Sequence, residues 1–410
     1  MISNNVIKNK KLNKSVSLLE FGVSKLAFLL LICVIWTQNI LLSYVRAVIL
    51  RIPIVNNIAD IFIPLLIGTL FIFALPYVMK NIKVEHLLFV VVVAFVYVLQ
   101  YVFYPDNTEY LNRYVTNFLL LIVPLFLVGV VFDWEESRNW LYVFSILTIL
   151  IRFIYTIAIG VEKAAQHGGI EGGDMNASYH LLPHVIMVLL FAIKKPTLIN
   201  VIFSILGVFL IFSFGSRGPL VCVLFSVVIY LIFCKKYKNP KLAFSLIICI
   251  ALLIIFSFTF LMEQLNVLSE NIGLSTRIFK MYSEGNFFLS EGRDNITETL
   301  TSRLWENIFG FGLAGDIVVV GSYAHNIFIE LLFGFGVVLG STIFVALAYV
   351  IFKNFIKSRK SEVSLLMVVL ISSCFVKLFM SGTFLTEQLL FFLLGICVSQ
   401  KLKIKNVSNE

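Results

Sequence analysis

The sequence predicts an all-α polytopic membrane protein with about twelve spans. Hydrophobic residues make up 60% of the 410-residue chain and charged residues only 13%, whereas a soluble protein of this length would need much more polar surface. The apolar residues fall into stretches of about 20, the length that a helix needs to cross the hydrocarbon core. Lysines on the cytoplasmic side explain the net charge of +9, so we expect no nucleic-acid partner.

The candidate spans follow one another along the whole chain, and we interpret residues 1–410 as a single integral membrane domain. The seventh and eighth spans are separated only by the tetrapeptide GSRG, and the proline that follows it suits the first turn of a helix. The spans are centred on residues 26–45, 58–79, 84–104, 115–132, 140–160, 177–193, 197–214, 219–234, 242–261, 325–351, 362–380 and 384–400.

Lysine-rich segments predict the orientation of the spans, because cytoplasmic connections accumulate lysine and arginine. With both termini inside, the lysine-rich runs at 8–14, 235–241, 353–360 and 401–405 all fall on the cytoplasmic face. An odd number of spans would put one of these runs on the wrong face. The basic residues of the outer segments are mostly arginines, joined by Lys377 near the outer end of the eleventh span.

One connection, residues 262–323, is much longer than the others, and a loop of that length is usually functional. Within this large extracytoplasmic loop, Asn295 and Glu298 fit a capping box at the start of an amphipathic helix. Four apolar residues recur at every fourth position and form one stripe: Ile296, Leu300, Leu304 and Ile308. We expect this helix to lie on the membrane surface or to cover a cavity.

Several nucleotide-binding and catalytic motifs are absent from the sequence. There is no G-x-x-x-x-G-K-[ST] loop, which argues against a nucleotide-driven pump, and no H-E-x-x-H zinc motif. GSRG is not the G-x-S-x-G nucleophile elbow of hydrolases. The six cysteines form no C-x-x-C pair, and none lies near a histidine at metal-ligand spacing, so we interpret them as packing residues and expect no metal site.

Arginines on the predicted outer face are candidates for binding phosphate. Arg217 lies in the short turn between the seventh and eighth spans, and Arg277 and Arg293 lie in the long loop. A guanidinium group is a rigid fork that binds phosphate oxygens bidentately. Each arginine alone could equally be a snorkelling cation at a helix end. For Arg217 we favour binding, because a four-residue outer turn has little other reason to contain arginine.

His325 lies where the long loop enters the tenth span. Near a helix N-terminus the macrodipole disfavours imidazolium, so the ring is expected to be neutral and able to accept a proton. The alternative is an interface histidine that bonds a backbone carbonyl. Asn326 and Glu330 share one helix face, and an acidic residue one turn into the membrane is expected to face a cavity or a partner, as packing support or in direct chemistry.

Two further pairs of residues have a spacing with structural meaning. His180 and His184 are four residues apart, which can bind a metal, but no third ligand lies at helical spacing. We favour the interpretation that Asn176 and His180 line an outer cavity. Gly336 and Gly340 form one G-x-x-x-G step, which predicts close helix packing.

These features together suit a lipid-linked pyrophosphate sugar, whose lipid lies in the bilayer and whose sugars reach the outer aqueous space. Three stretches then resemble the signature regions of the O-antigen ligase and polymerase superfamily. They are SFGSRGPLVCVLFSVVIYLI (213–232), EGRDNITETLTSRLWENIFGFGL (291–313) and AHNIFIELLFGFGVVLG (324–340). Their order and the predicted topology are those of the family, and the resemblance covers roughly residues 160–345.

The resemblance implies a GT-C-like fold and an enzyme of the bacterial cytoplasmic (inner) membrane with an extracytoplasmic active site. Arg217 and Arg293 would hold the donor's pyrophosphate, with Arg277 as a weaker candidate, and His325 would take the acceptor's proton or orient its hydroxyl. The implied reaction is an inverting glycosyl transfer from a polyprenyl-pyrophosphate-linked oligosaccharide, without metal or cofactor. The implied partners are donor and acceptor glycolipids and membrane lipid, with a chain-length regulator and a flippase as further candidates.

The signature regions do not separate two activities. A polymerase joins repeat units into a surface polysaccharide such as O-antigen or capsule, whereas a ligase transfers a finished glycan to lipid A-core or another acceptor. We favour the polymerase, because the Lys-, Asn- and Ile-rich composition is typical of surface-polysaccharide clusters. A lipid-linked oligosaccharide flippase would also have about twelve spans, but transporters usually carry mid-membrane charges and matching halves.

Overall fold

The structure, a computed structural model of the chain, describes residues 22–38, 56–159, 174–214, 216–234 and 292–399. These ranges are almost entirely helical and contain no strand, which confirms the all-α class. Six of the helices in them are long and apolar enough to cross a membrane, as expected for a polytopic membrane protein. The predicted span 242–261 and the first half of the predicted loop 262–323 lie outside the described residues.

We number the described helices in chain order. Those before residue 235 are α1 (Gly22–Gln38), α2 (Asn56–Asn81), α3 (Val84–Phe103), α4 (Pro105–Val131), α5 (Trp134–Ile159), α6 (Asp174–Lys194), α7 (Leu198–Ser213) and α8 (Arg217–Cys234). Those after residue 291 are α9 (Arg293–Ser302), α10 (Gly315–Val320), α11 (Ile327–Phe335), α12 (Val337–Ser358), α13 (Val363–Phe379) and α14 (Gln388–Val398). α13 contains a π-helical stretch, Ile371–Val376.

Polar residues at the helix ends explain where several helices begin. The Thr197 side chain accepts a hydrogen bond from the Asn200 N–H at 3.3 Å and caps α7. The Asp133 carboxylate accepts from the Glu135 N–H at 2.9 Å just before α5. Between such ends the helix interiors are apolar, because a membrane gives no water to buried polar groups.

The most extensive contact between two helices joins α4 to α14. It is a backbone contact made through glycine, since a Cβ added at Gly395 would lie only 2.2 Å from the Phe126 carbonyl oxygen. On the other side, a Cβ at Gly129 would lie 2.3 Å from the Phe392 carbonyl oxygen. Such small-residue contacts let membrane helices approach closely and gain dispersion energy along their length.

α6 is the most enclosed of the six long helices. Its residues Leu181, Leu182 and Val185 are fully buried, and it packs against α5, α7, α8 and α13. By contrast, α3 leaves large apolar side chains such as Val84 and Phe103 exposed, which suits a surface that faces lipid. Near the N-terminal end of α6, Ser178 and Tyr179 are buried while Asn176 is exposed, so this end of the helix reaches from the interior to the surface.

The predicted span 325–351 is two helices, so the prediction of one continuous helix is wrong. Gly336 has φ 80° and ψ 164°, and it separates α11 from α12 by a sharp turn. α12 then folds back along α11, because a Cβ at Gly340 would lie 2.3 Å from the Leu331 carbonyl oxygen. Only α12 is long enough to cross a membrane. The G-x-x-x-G step does mark a close contact, as predicted.

α9 corresponds to the amphipathic helix predicted in the long loop, but it begins and ends elsewhere. The Asn295–Glu298 capping box is wrong, because the residue before the helix is Gly292, with φ 73°. The left-handed backbone of that glycine starts the helix three residues earlier than the polar pattern suggests.

The apolar stripe of this helix is correct for its first three residues. Leu300 is fully buried and contacts Phe333 of α11, and Ile296 and Leu304 pack beside it. α9 ends at Ser302, however, so both Leu304 and Ile308 lie beyond the helix; Leu304 still packs on the cluster, whereas Ile308 is exposed. The helix thus lies on α11, the element that follows His325.

Candidate functional site

His325 is held between two anchored residues. On its N-terminal side, the Ala324 N–H donates to the buried Asp316 carboxylate at 2.8 Å. On its C-terminal side, Asn326 caps α11 by accepting from the Phe328 N–H at 3.0 Å. Between these anchors His325 has a φ of 55°, a left-handed conformation that is rare for a side chain of this size.

The His325 ring is neutral in this environment. It packs against Tyr323 with 4.1 Å between the ring centroids, and its Nδ1 is buried and makes no hydrogen bond to the described residues. Burial, and secondly the charge of Arg293, lower its pKa to about 4. Sequence analysis predicts a neutral ring from the helix dipole, but the pKa is lowered instead by burial and by a neighbouring arginine.

Arg293 connects the segment around His325 to the end of α13. It is the first residue of α9, and its guanidinium donates a hydrogen bond to the carbonyl oxygen of Met380. Its positive charge acts on both His325 and Tyr179, so these three residues share one electrostatic environment. A half-buried guanidinium here also raises the local affinity for an anion.

Arg217 begins α8 next to a close contact with Tyr179. The neighbouring Gly218 leaves room for the Tyr179 hydroxyl, which would lie 1.9 Å from a Cβ at that position. Tyr179 therefore lies between the turn that carries Arg217 and the charge of Arg293. The third arginine predicted to bind phosphate, Arg277, lies outside the described residues.

A glycine-rich segment fixes the chain between α9 and α10. The Gly312 N–H donates to the Gly334 carbonyl of α11 at 3.0 Å, and the Leu313 N–H donates to the Gln100 side chain of α3 at 2.8 Å. Asn107 donates to the Leu313 carbonyl at 2.9 Å. These bonds connect the segment that follows Arg293 to the long helices α3 and α4.

A cavity of about 240 Å³ is separated from the His325 ring by Tyr323, which lines the cavity and packs against that ring. Asn176 and His180 of α6 line it, which is where sequence analysis places them. The rest of its wall comes from Gln38, Tyr179, Tyr323, Lys377, Ser381, Gly382, Thr383, Thr386, Glu387, Gln388 and Leu389. Eight of the thirteen lining residues come from the turn between α13 and α14 and from the helix ends that flank it, residues 377–389, so this part of the chain forms the larger part of the wall.

Two oppositely charged side chains in this wall form an ion pair. Lys377, at the end of α13, bonds the Glu387 carboxylate at the start of α14, and both side chains are largely buried. The Lys377 ammonium also lies 5.7 Å from the centre of the Tyr179 ring. The pair neutralises both charges inside the protein, where an unpaired charge would be costly.

Glu330 supports the cavity without lining it. Its buried carboxylate accepts hydrogen bonds from the Thr383 hydroxyl and from the Phe384 N–H, the latter at 3.2 Å. Glu330 thereby ties α11 to the α13–α14 turn. Of the two roles that sequence analysis leaves open for this residue, the structure places it in a supporting position.

The two histidines of α6 face different surroundings. His180 lines the cavity, whereas the His184 ring is buried beside Trp36 and lies 3.3 Å from the Ser145 hydroxyl. Among the residues that the structure describes, no group of three histidine, cysteine or acidic side chains is placed to hold a metal ion.

One part of the chain, from the seventh span into α12, is similar to a known family. A family model described as O-antigen ligase matches residues 202–344, which confirms the resemblance to the O-antigen ligase and polymerase superfamily over that segment. No curated protein and no solved structure matches the chain.

The matched segment contains Arg217, Arg293 and His325, but of the residues that line the cavity only Tyr323 lies within it. The sequence places Lys377 on the outer face but does not predict that it lines the cavity, and it does not place Tyr179 or Glu387 there. A signal for the ion pair exists, since Glu387 is an acidic residue in a short polar turn between two apolar spans. Only the folded turn shows that its partner is Lys377.

Proposed function

We propose that the protein is a glycosyltransferase that joins polyprenyl-pyrophosphate-linked oligosaccharide repeat units into a surface polysaccharide. The family match supports an O-antigen ligase or polymerase activity in a membrane. The observation that carries the proposal is that Arg293 and His325 each contact the wall of the polar cavity or its neighbour: Arg293 bonds the Met380 carbonyl, next to Ser381, and His325 packs on Tyr323. In this proposal the site acts on the extracytoplasmic face of the bacterial cytoplasmic membrane, and both termini are cytoplasmic.

In the proposed reaction a hydroxyl of the acceptor glycan attacks the anomeric carbon of the donor glycan. A new glycosidic C–O bond forms, and the bond from that carbon to the pyrophosphate oxygen breaks. The polyprenyl pyrophosphate leaves with the bonding electron pair. Arg217 and Arg293 stabilise the negative charge that grows on the leaving oxygen. A single displacement inverts the configuration at the anomeric carbon.

His325 receives or orients the proton of the attacking hydroxyl in this proposal. The ring is neutral, so one ring nitrogen is available as an acceptor. A pKa of about 4 makes the free ring a weak base at neutral pH. The pyrophosphate of a bound donor would oppose the effect of Arg293 and raise that pKa. We therefore expect proton transfer only when the donor is in place.

A ligase that transfers a finished glycan to lipid A-core or another acceptor is the second candidate, because the matched family is described as O-antigen ligase. The two activities use the same donor chemistry and differ in the acceptor. Their products on the cell surface are different, so a single genetic experiment separates them.

The test is a His325→Ala substitution in the native cell, followed by electrophoresis of the surface glycan. A polymerase defect leaves single repeat units in place of the long ladder, a ligase defect leaves long polymer on its lipid carrier, and a flippase defect strands units inside the cell. His86→Ala is the matched control, because His86 is buried at the start of α3, away from the site. A wild-type ladder in the His325→Ala strain would sink the proposal.

The arginines are tested by charge-conserving substitutions. Arg217→Lys and Arg293→Lys keep the charge but lose the bidentate fork, so we expect each to lower transfer by at least about tenfold. The measurement is the rate of product formation by the purified full chain in nanodiscs, with lipid-linked donor extracted from the native cell. Full activity in both variants would contradict their role at the pyrophosphate.

A further inference from the structure

The cavity beside His325 is unusually polar for the interior of a membrane protein. Of the thirteen residues that line it, eleven have side chains that can hydrogen-bond, and only Gly382 and Leu389 do not. Polar groups inside a membrane protein are expensive and mark the paths and sites of polar ligands. The cavity therefore suits a ligand with many hydrogen-bonding groups.

The charge of the cavity argues against a pyrophosphate ligand. Lys377 and Glu387 neutralise each other, and among the residues that the structure describes the other lining groups that hydrogen-bond are amides, hydroxyls, phenols and an imidazole. The Glu387 carboxylate would repel a bound polyanion, and there is no excess of positive charge to offset the cost of removing that anion from water. Amides, hydroxyls and an ion pair can instead donate to and accept from neutral hydroxyl groups.

The volume of the cavity and its aromatic lining further restrict the class of ligand that it can bind. A volume of about 240 Å³ is below the range typical of pockets for drug-sized ligands, so it suits one ring and not an oligosaccharide. Tyr179 and Tyr323 supply two aromatic surfaces, which suit a ligand that has apolar C–H faces as well as hydroxyls. Tyr323 in turn contacts the His325 ring at 4.1 Å.

We propose that this cavity is a subsite for one uncharged sugar ring of the acceptor glycan, with the Lys377–Glu387 pair as its principal hydrogen-bonding group. The proposal rests on the proposed function, and it assigns the acceptor sugar to the α13–α14 turn and the pyrophosphate to the arginines. The sugar occupies the space between Tyr179 and Tyr323, next to His325. An acidic sugar is disfavoured by Glu387.

The main test blocks the cavity from its rim. Thr386 lines the cavity but is exposed, so Thr386→Trp fills the entrance without disturbing the packed interior. Thr386→Ser is the matched control, because it keeps the hydroxyl and the open entrance. Glu387→Gln is the second variant, since it removes the negative charge that the proposal uses and leaves the size of the side chain unchanged.

Two probes are bound to the purified full chain in nanodiscs and followed by calorimetric titration. One is the repeat-unit oligosaccharide released by partial acid hydrolysis of the native cell's surface polysaccharide, and the other is inorganic pyrophosphate. We expect Thr386→Trp to lower the affinity for the oligosaccharide at least about tenfold, and Glu387→Gln to lower it about fivefold. Both variants are expected to bind pyrophosphate with the affinity of the wild type. Arg293→Gln is expected to show the reverse pattern, with pyrophosphate weakened and oligosaccharide retained.

Three results would overturn the subsite. They are wild-type oligosaccharide affinity in Thr386→Trp, loss of pyrophosphate rather than oligosaccharide in that variant, and a wild-type chain that binds pyrophosphate but no oligosaccharide. The His325→Ala chain separates this proposal from the proposed function. The purified variant is expected to bind both probes, and the strain that carries it is expected to make no ladder. An intact ladder would overturn the proposed function, and the binding results alone would then decide whether the subsite exists.

Discussion

Glycines bring backbones together in two regions of the molecule, and the two contacts differ in kind. In the helix bundle, Gly129 and Gly395 let α4 and α14 touch, and neither has a positive φ. Beside the site, Gly310 and Gly336 also touch, but their φ angles are 81° and 80°. The bundle therefore needs glycine only for space, whereas the site needs it for both space and the direction of the chain.

The largest expected effect lies in the bundle. Gly395→Val places carbon atoms against the Phe126 carbonyl oxygen and the facing backbone, which cannot move aside as a flexible side chain could. We expect a loss of about 3 kcal/mol of stability, seen as a lower Tm of the purified protein. Gly68→Ala is the control, because nothing lies within 4 Å of a Cβ there, and its Tm should be unchanged. Equal Tm values for the two variants would refute the backbone contact.

The second effect is local to the site. Gly336→Ala forces a side chain into a backbone conformation that is essentially reserved for glycine and places it 1.9 Å from the Ile308 carbonyl oxygen. We expect α11 to shift and the glycan ladder to fall at least about tenfold, with a smaller drop in Tm than for Gly395→Val. Gly321→Ala is the milder comparison, since Gly321 has φ 73° and ψ 3°, in the left-handed helical region, and open space around its Cβ position. A Gly321→Ala ladder as weak as that of Gly336→Ala would contradict a special role for the turn at Gly336.

The third effect concerns the bond that joins α11 to the α13–α14 turn. Thr383→Val removes the hydroxyl that donates to the buried Glu330 carboxylate, and leaving such a group unsatisfied costs about 1–3 kcal/mol. We expect lower Tm and slower transfer in vitro. Thr383→Ser keeps the hydroxyl donor and is expected to retain most of the Tm and of the transfer rate. Similar losses in the two variants would show that the change of side-chain shape matters and the hydrogen bond does not.

The smallest effect is a dependence of stability on pH. The folded-state pKa of His325 is lowered to about 4, below its ordinary value of 6.5, so the unfolded chain binds more protons between these values. Stability therefore falls as the pH drops from 6.5 towards 4. In His325→Asn this contribution is absent, and Tm should fall less between pH 7 and pH 5 than in the wild type. A steeper fall in the variant would show that the ring is charged in the folded protein.

The helical class was predictable because long apolar stretches leave few alternatives in a membrane. The positions of Arg217 and Arg293 were predictable as candidates because arginine is conspicuous in otherwise apolar or short connecting segments. The turn at Gly336 was not, because it lies inside an unbroken apolar run and its cause, the Ile308 carbonyl, is 28 residues away along the chain. Hydropathy indicates that a segment lies in the membrane, but it does not indicate where the chain changes direction within it.

The cavity was only partly predictable for a similar reason. Asn176 and His180 share one face of α6, so periodicity placed them together. Lys377 and Glu387 meet because the chain between them reverses direction, which no periodic pattern describes. The cause of the low pKa of His325 was also missed, because burial depends on the packing of Tyr323 and on neighbours distant in sequence.

The connection between residues 292–335 and residues 377–389 has an evolutionary consequence. The two stretches are joined by the Arg293–Met380 and Glu330–Thr383 hydrogen bonds, but the backbone around His325 is fixed within the first stretch by Asp316 and Asn326. On the proposed assignment, substitutions in the α13–α14 turn reshape the sugar subsite while the reacting groups stay in place. Lineages that change their surface glycan can then vary glycan preference and bond chemistry separately.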